Sequence, residues 1–435
     1  MTSENGQKRI KVDYMARVEG EGALDIIIEG DEIKHLELNI FEPPRFFEAF
    51  LRGRDYWEAP DITARICGIC PVAYQMSSVH AMEKILEIEI TPEIRRLRRL
   101  LYCAEWIESH ALHIFLLHAP DFLGYESAIS MAAVPALLPT VEMGLRMKKI
   151  GNDLLATIGG REVHPVTPTV GGFYRAPTLK ELQALKEDFE WGLEAAISTV
   201  AWTATLDFPD FAPDYEVVSL SHPDEYPMNE GRVVSNKGLD IPVEEFEQYF
   251  LTEHVAHSNA VQVHRDHGGS YQTGPLARVN LNLDKLSPQA QKAMQDTGIE
   301  FPNNNPFISI VSRSIEVVHA FEEALEIIDS YERPVPSRIT AVPQAGVGCH
   351  ITEAPRGMCY HRYRIDDQGI IQDVRIDAPT AQNLRRMEDD LRAFVPQVLD
   401  LPLEDATWRC EQLVRNYDPC ISCATHFLKL NIQRR

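Results

Sequence analysis

The chain has 435 residues, of which 44% are hydrophobic, and it carries a formal net charge of −23. This length allows one large unit or two to three average domains, and the acidity excludes a nucleic-acid-binding protein, which needs a basic face to displace counterions. The same charge excludes docking on an anionic membrane by electrostatics alone, and the absence of a run of about 18 apolar residues excludes a predicted membrane-spanning helix.

The N-terminal segment begins with MTSENGQKRI, which lacks the apolar core of a signal peptide, so we expect a cytoplasmic protein without direct membrane insertion. Apolar and polar residues then alternate over residues 10–14, 23–28 and 33–40. This period of two predicts the strands of a small antiparallel sheet. We assign residues 1–42 to an N-terminal β region.

Helical periodicity follows and predicts a helical core over about residues 43–335. The first long helix is expected to begin at Thr91-Pro92, an N-cap followed by proline at the first helical position, and to continue until Pro120. Three further long helices are predicted over about 141–157, 178–206 and 306–330. Residues 207–305 contain many Pro, Asn and Asp residues and are expected to be irregular.

The C-terminal region, residues 336–426, mixes both periods. Strands are predicted between residues 338 and 376, with a hairpin turn at 366–369, and two helices near 380–396 and 404–415. No repeat or flexible linker separates these regions in the sequence. We therefore predict one integrated α+β unit over residues 1–435, with a central bundle of long helices and small peripheral β-sheets.

Two Cys-x-x-Cys pairs lie near opposite ends of the chain: Cys67 with Cys70, and Cys420 with Cys423. About 350 residues separate the pairs, so they meet only if the whole fold brings them together. Four converging thiolates form a soft, polarizable ligand set for a transition metal. The remaining cysteines are expected to be small buried apolar side chains: Cys103, Cys349, Cys359 and Cys410.

Each pair alone is open to other interpretations. A structural zinc site is one, although its pairs usually lie about 15–20 residues apart. A redox-active pair is another, but it needs a βαβ context that the predicted elements do not provide. The flanking residues favour a larger metal cluster: Gly68 lets the backbone pass close to it, Arg65 offers positive charge to coordinated thiolates, and Asp418-Pro419 stiffens the approach of the second pair.

The sequences around the cysteines resemble a known family. Arg65-Ile-Cys-Gly-Ile-Cys70 and Asp418-Pro-Cys-Ile-Ser-Cys-Ala-Thr-His426 look like the two signatures of the large subunit of nickel–iron hydrogenases. Shorter matches occur in the family's order at Arg17-Val-Glu-Gly20, His164-Pro165 with Gly171-Gly172, Gly274-Pro-Leu-Ala-Arg278 and Glu353-Ala-Pro-Arg-Gly357. The resemblance covers essentially the full length. It implies the hydrogenase large-subunit fold and a catalytic subunit for the reversible heterolytic cleavage of dihydrogen.

The resemblance also implies the role of each cysteine. Cys67 and Cys420 would be terminal ligands of nickel. Cys70 and Cys423 would bridge nickel to an iron that also holds carbon monoxide and cyanide. The terminal thiolate of Cys420 would accept the proton that dihydrogen releases.

Five more residues match positions with a role in the family. Glu19 would relay the proton from Cys420, and Arg356 would lie over the open coordination position and hydrogen-bond a cyanide. Asp418 would accept hydrogen bonds close to the cluster. Glu48 and His426 would bind magnesium or a second iron, and magnesium prefers oxygen ligands.

Two departures from the family pattern suggest a branch. Many members have histidine four residues after the second cysteine of the first pair, where this chain has Tyr74. Respiratory relatives often place an aspartate where this chain has Ser109. With Tyr74 and Ser109, the chain resembles the cytoplasmic branch that couples hydrogen to NAD(P). This branch includes bifunctional sulfhydrogenases that also reduce sulfur. The chain has no cysteine pattern for iron–sulfur clusters and no Gly-x-Gly-x-x-Gly fingerprint. We therefore expect a small subunit with iron–sulfur clusters and diaphorase-type subunits that bind FAD and NAD(P).

The C-terminal tail carries a further expectation. In the family, an endopeptidase cuts after the terminal histidine once nickel-insertion factors have delivered the metal, so residues 427–435 would be a removable extension.

Two alternatives to a hydrogenase catalytic subunit stay open. They are a hydrogen sensor of the same ancestry and a structural zinc protein with four cysteine ligands.

Overall fold

The computed structural model describes residues 7–425. The strands are β1 Gln7–Val12, β2 Gly22–Glu29, β3 Glu32–Ile40, β4 Pro168–Thr169, β5 Gly172–Phe173, β6 Glu216–Ser221, β7 Arg232–Ser235, β8 Asp240–Ile241, β9 Phe250–His254, β10 Val261–Arg265, β11 Tyr271–Gln272, β12 Gly346–Ala354, β13 Gly357–Ile365 and β14 Ile371–Asp377. The α-helices are α1 Phe47–Leu51, α2 Ala59–Thr63, α3 Pro71–Ile85, α4 Pro92–Ala111, α5 Ala119–Leu123, α6 Ala128–Ala132, α7 Leu138–Gly159, α8 Leu179–Gln183, α9 Lys186–Thr203, α10 Phe246–Tyr249, α11 Pro275–Leu281, α12 Pro288–Asp296, α13 Ser309–Asp329, α14 Pro379–Val398, α15 Leu403–Arg415 and α16 Ile421–Ala424. A π-helical segment, Leu112–His118, continues α4. Over the described range, none of the helices combines the length and the apolar character needed to cross a membrane.

The N-terminal sheet is antiparallel, in the order β1-β2-β3. Alternate residues of β2 are buried, which is why a period of two is visible in the sequence. The first strand ends at Val12 rather than near Tyr14, because the chain turns and Met15 N donates a hydrogen bond to Gly22 O (2.8 Å). The sheet packs against α14 and α15, so the loop between β1 and β2 lies close to the C-terminal end of the chain.

Four long helices form the centre of the molecule: α4 packs against α7 and α13, and α9 packs against α13. Gly151 allows the close approach of α7 to α4, since a Cβ there would lie 2.8 Å from the backbone oxygen of Ala104. The expected helix start is present, with Thr91 Oγ1 accepting a hydrogen bond from Ile94 N. The single helix expected up to Pro120 is wrong in one detail, because α4 ends at Ala111 and the π-helical segment follows.

The expectation that residues 207–305 are irregular is wrong. This range contains strands β6–β11 and helices α10–α12. Four strands form a sheet in the order β11-β6-β7-β8, and β9 pairs with β10. These strands have only two to six residues, too few for a period of two to stand out in the sequence.

The C-terminal sheet is antiparallel, in the order β12-β13-β14. The expected hairpin at 366–369 is present, with Gly369 N donating to Asp366 O (2.9 Å). At the other end of the sheet, Ala354 pairs with Gly357 across a tight turn that holds Arg356. Helix α3 packs against β12. The start of α3, this turn and the segment after α15 consequently face one another.

Candidate metal centre

Two segments from opposite ends of the chain bring the four predicted cysteine ligands together in the interior. The Sγ atoms of Cys67 and Cys420 are 3.7 Å apart, and those of Cys420 and Cys423 are 2.7 Å apart. The Sγ atoms of Cys67, Cys70 and Cys423 lie within 4.8 Å of one another. Each of the four residues is at most 3% exposed. We call this group the thiolate cage.

The first pair is positioned by the start of α3. Cys70 is the residue before the helix, and Pro71 occupies the first helical position, where its missing N–H costs no hydrogen bond. The backbone N–H groups of Ile69 and Cys70 point at Cys67 Sγ, at 3.3 and 3.2 Å. These two donors stabilise negative charge on that sulfur.

The second pair is positioned by a sharp turn after α15. Asp418 has a φ of 50°, in the left-handed region that non-glycine residues rarely adopt. Cys420 N donates to Thr380 Oγ1 at 2.9 Å, and Ile421 N donates to the backbone oxygen of Glu19 at 2.8 Å. These bonds, with the parallel bridge between Glu19 and Cys420, join the N-terminal loop to the cage.

The protonation of the isolated cage indicates that it suits a cation. Hydrogen bonds from the neighbouring thiols, chiefly Cys420, hold the pKa of Cys67 well below its ordinary value. Burial raises the pKa of Cys420 well above its ordinary value. A bound metal ion would hold all four cysteines as thiolates. Four buried sulfur ligands fit soft transition metals such as nickel and iron.

Glu19 lies next to the cage and is half-buried. Its Oε2 atom is 3.0 Å from Cys420 Sγ and 3.1 Å from Ser422 N. The neighbouring Gly20 has a φ of 91°, and a Cβ there would lie 2.8 Å from Cβ of Ile421, so the loop can approach the cage only with glycine at this position. The carboxylate is thus within proton-transfer distance of a cage sulfur.

Arg356 and Asp418 form a buried pair beside the cage, each 2% exposed. Arg356 Nε donates to the Asp418 backbone oxygen at 2.7 Å, and Nη2 donates to Asp418 Oδ1 at 3.0 Å. Burial opposes the guanidinium charge, but Asp418 and the cage thiolates keep the pKa of Arg356 well above its ordinary value. Nη1 of Arg356 and Oδ2 of Asp418 have no hydrogen-bond partner in the part of the chain that the structure describes.

Glu48 lies in the first turn of α1 and accepts a hydrogen bond from Ile376 N at 2.9 Å. His426, the other predicted ligand of the second metal ion, lies outside the described residues, as does the predicted extension 427–435. The last described residue approaches α1, because Arg45 N donates to Thr425 O at 2.7 Å. Glu48 is thereby placed near the end of the described chain.

The residues that departed from the family pattern are both in the interior. Tyr74 is fully buried, and burial raises its pKa well above the ordinary value, so the phenol stays protonated. Its ring lies 5.8 Å from that of His361 of β13. Ser109 is also fully buried, on α4. The four isolated cysteines, Cys103, Cys349, Cys359 and Cys410, are free thiols and buried, as expected.

Two residues that support the cage were missed by the sequence interpretation. Glu105 of α4 accepts hydrogen bonds from the backbone nitrogens of Val72 (2.6 Å) and Ala73 (3.2 Å), which fixes the start of α3. Thr380 holds Cys420, as described above. The only signal for Glu105 is a carboxylate on the apolar face of a predicted helix, and Thr380 carries no signal at all.

A separate group of possible metal ligands lies away from the cage: His222, Glu225 and Glu230. Both carboxylates accept hydrogen bonds from Arg95, at 2.6 Å in each case. Their charge is already compensated by arginine, so this group is an ion-pair network rather than a second metal site.

Comparisons with known proteins agree with this geometry. A family model described as "Nickel-dependent hydrogenase" matches residues 45–142 and 258–426. The chain is 32% identical to sulfhydrogenase 1 subunit alpha of Pyrococcus furiosus over 97% of its own length and 98% of that protein. It is 26% identical to the NAD-reducing hydrogenase HoxS subunit beta of Cupriavidus necator over 97% of its own length and 95% of that protein. Among solved structures, an NAD+-reducing [NiFe]-hydrogenase in the H2-reduced state superposes with a TM-score of 0.83 and 25% identity, covering 96% of this chain and 99% of that one.

The fold and the buried cage of four thiols thus define a nickel–iron hydrogenase large subunit, of the α+β class that the sequence predicted. The chain belongs to the nickel-dependent hydrogenase family. Hydrogenases are oxidoreductases that act on dihydrogen, and the thiolate cage is the feature of this fold that suits nickel and iron.

Proposed function

We propose that this chain is the catalytic subunit of a cytoplasmic nickel–iron hydrogenase that couples the reversible heterolytic cleavage of dihydrogen to NAD(P). The observation that carries the proposal is the contact of 3.0 Å between Glu19 Oε2 and Cys420 Sγ, at the edge of a buried cage of four thiols. A cage that served only to stabilise the fold would not need a half-buried carboxylate against one sulfur.

In this proposal, Cys67 and Cys420 would hold nickel, and Cys70 and Cys423 would hold both nickel and an iron with carbon monoxide and cyanide. When bound, this metal pair supplies the Lewis acidity and accepts the electrons for the cleavage of dihydrogen. The protein supplies a dry, rigid ligand set, because each cysteine is almost fully buried.

The proton path begins at Cys420. Its sulfur accepts the proton released from dihydrogen, and Glu19 Oε2 accepts it next, over 3.0 Å. The hydrogen bond from Ser422 N to the same oxygen keeps the carboxylate directed at the sulfur. Glu19 can therefore act as a general base for each turnover.

Arg356 would donate a hydrogen bond to a cyanide ligand of the iron. Asp418 uses the Nε and Nη2 groups of the guanidinium, which leaves the Nη1 donors for another acceptor. Arginine suits the position because it stays charged and its donors have fixed geometry.

Glu48 and His426 are assigned to a magnesium ion or a second iron. Glu48 supplies the oxygen ligand that magnesium prefers, and the contact between Arg45 and Thr425 supports an approach of the C-terminal end to α1. Removal of residues 427–435 by a maturation endopeptidase, after nickel insertion, would fix that end near the cage.

The relatives support the proposed partners. Their names describe alpha and beta subunits, and one of them is NAD-reducing. The proposed partners are a small subunit with iron–sulfur clusters and a diaphorase-type subunit with FAD. Together they would carry electrons from this chain to NAD(P). Sulfur reduction is a further activity to test, because two similar relatives are sulfhydrogenase subunits.

The deciding experiment is an infrared spectrum of the complex purified from its native host, with metal analysis of the same sample. One carbonyl band and two cyanide bands, with nickel and iron bound, are the expected result. Zinc in place of nickel, with no bands, would reject the proposal in favour of a structural zinc protein. Bands with negligible turnover of dihydrogen would instead identify a hydrogen sensor.

A further inference from the structure

A second group of buried polar residues lies beside the cage. It consists of Arg313 of α13, His113 and His118 of the π-helical segment, and Asn416 at the end of α15. We call these four residues the Arg313 cluster. Each is at most 1% exposed, and the rings of His113 and His118 are 4.9 Å apart.

The cluster contains seven buried polar atoms for which residues 7–425 provide no hydrogen-bond partner: Nε and Nη1 of Arg313, Nδ1 of His113, both ring nitrogens of His118, and both side-chain amide atoms of Asn416. The Asn416 amide lies close enough to the His118 ring to act on its pKa, but no atom of either group has a partner in hydrogen-bond geometry among residues 7–425. Buried polar groups in folded proteins almost always have a partner. Seven exceptions in one group indicate that small polar molecules complete it.

The charge of Arg313 strengthens this conclusion. Burial lowers its pKa to about 10, so the guanidinium remains charged at neutral pH. The carboxylates that act on it are Asp418 and Glu316, but Glu316 is already bonded to Arg278, at 2.7 Å. A buried cation without a direct ion pair needs other acceptors.

The chemistry of the unpartnered atoms favours water over an anion. Burial lowers the pKa of His113 and of His118 well below the ordinary value, so both rings are neutral. His113 Nε2 donates to Arg415 O at 2.8 Å, which leaves its Nδ1 as an acceptor. The cluster therefore offers acceptors as well as donors. Water can satisfy both, whereas an anion would satisfy only the donors.

The cluster lies between the cage and the surface. On the inner side, Asp418 and Arg356 each keep one polar atom without a hydrogen-bond partner among residues 7–425. On the outer side, the His118 ring packs edge-on against Phe122 at 4.9 Å. Phe122 and Trp408 line a surface cavity of about 360 Å³.

We propose that a chain of hydrogen-bonded water molecules occupies the Arg313 cluster and carries protons from the cage to the surface cavity beside Trp408. This route would operate in addition to the route through Glu19. This inference rests on the proposed function, because protons are a product of that reaction. Each dihydrogen yields two protons and two electrons. The electrons leave through the clusters of the partner subunit, and each water accepts one proton and releases another to its neighbour, so no group in the chain is consumed.

The first test is a high-resolution crystal structure of the hydrogenase complex. Ordered waters within about 3.2 Å of Arg313 Nε, the His118 ring and the Asn416 amide are expected. Direct hydrogen bonds that close the cluster, or a single bound anion, would overturn the proposal. This test does not depend on the metal content, so it separates failure of the water chain from failure of the proposed function.

The second test measures proton exchange between dihydrogen and heavy water. In a Glu19→Gln background, the water chain is the remaining route, and His118→Phe should lower the exchange rate about 100-fold further. The matched control is His350→Phe, since His350 is also buried, has one ring nitrogen bonded to a backbone oxygen, and stacks on His80 at 4.5 Å rather than on a residue of the cluster.

The infrared bands of the metal ligands, recorded on both variants, should match those of the parent. Equal exchange rates in His118→Phe and His350→Phe would overturn the second route. If His118→Phe does not fold, Asn416→Leu removes two atoms of the same cluster with little change in volume, and the same drop in exchange is expected.

Discussion

Replacing Glu19 by glutamine removes the proposed proton acceptor and leaves the surrounding structure in place. Glutamine has the same shape, so its side-chain oxygen can still accept the hydrogen bond from Ser422 N, now 3.1 Å, and lie against Cys420 Sγ, because one oxygen of Glu19 makes both contacts. The free energy of unfolding should therefore change by less than about 0.5 kcal/mol. The amide cannot take a proton from the sulfur.

The expected loss of activity follows from that single missing function. Positioned general bases contribute about 10²- to 10⁴-fold, equivalent to about 3–5 kcal/mol of activation free energy. We expect hydrogen-dependent dye reduction by Glu19→Gln to fall at least about 100-fold, with nickel content and infrared bands unchanged. Glu19→Ala is the companion variant: it should be equally inactive, but less stable by about 1 kcal/mol because Ser422 N loses its acceptor.

The result that would refute the reasoning is a fully metallated Glu19→Gln enzyme that retains more than about a third of the parent activity. A rate of that size is incompatible with loss of the principal proton acceptor. Inactivity accompanied by loss of nickel would instead show that Glu19 holds the cage together. That result would contradict the expected unchanged nickel content and free energy of unfolding.

Three further predictions concern other buried residues. Arg278→Met should lower the free energy of unfolding by about 3–5 kcal/mol, since Arg278 bonds both Glu316 (2.7 Å) and Glu353 (3.0 Å) in the interior and its loss removes the cation from two buried carboxylates. An unchanged midpoint of chemical denaturation would contradict this. Burial lowers the pKa of His350 to about 4 from 6.5, so the unfolded chain binds the proton before the folded chain does as the pH falls below 6.5. This difference should lower the free energy of unfolding by roughly 2 kcal/mol between pH 7.5 and 5. The His350→Gln variant should not show this part of the loss. Cys423→Ser replaces a soft ligand by a hard one and should reduce bound nickel and iron at least about tenfold by metal analysis, while the far-ultraviolet circular dichroism of the folded chain is retained.

The sequence predicted the elements whose pattern is local and long. The N-terminal strands show a period of two because one face of the sheet is buried, and α4 begins at Thr91-Pro92 because that cap is a short-range signal. The strands of residues 207–305 were missed since they are too short for a period to develop. The π-helical character of residues 112–118 was missed because an apolar helical pattern does not distinguish i→i+5 from i→i+4 hydrogen bonds.

The sequence by itself determined the chemistry of the centre: four cysteines in two flanked pairs, with Glu19, Arg356 and Asp418 at motif positions. Only the tertiary structure decided that the two pairs meet, because contacts between residues about 350 positions apart depend on the packing of every element between them. The same packing placed Glu105 and Thr380 as supports of the cage and assembled the Arg313 cluster. Such residues carry no sequence motif, since their roles arise from burial and from unpaired hydrogen-bonding groups that exist only once the chain has folded.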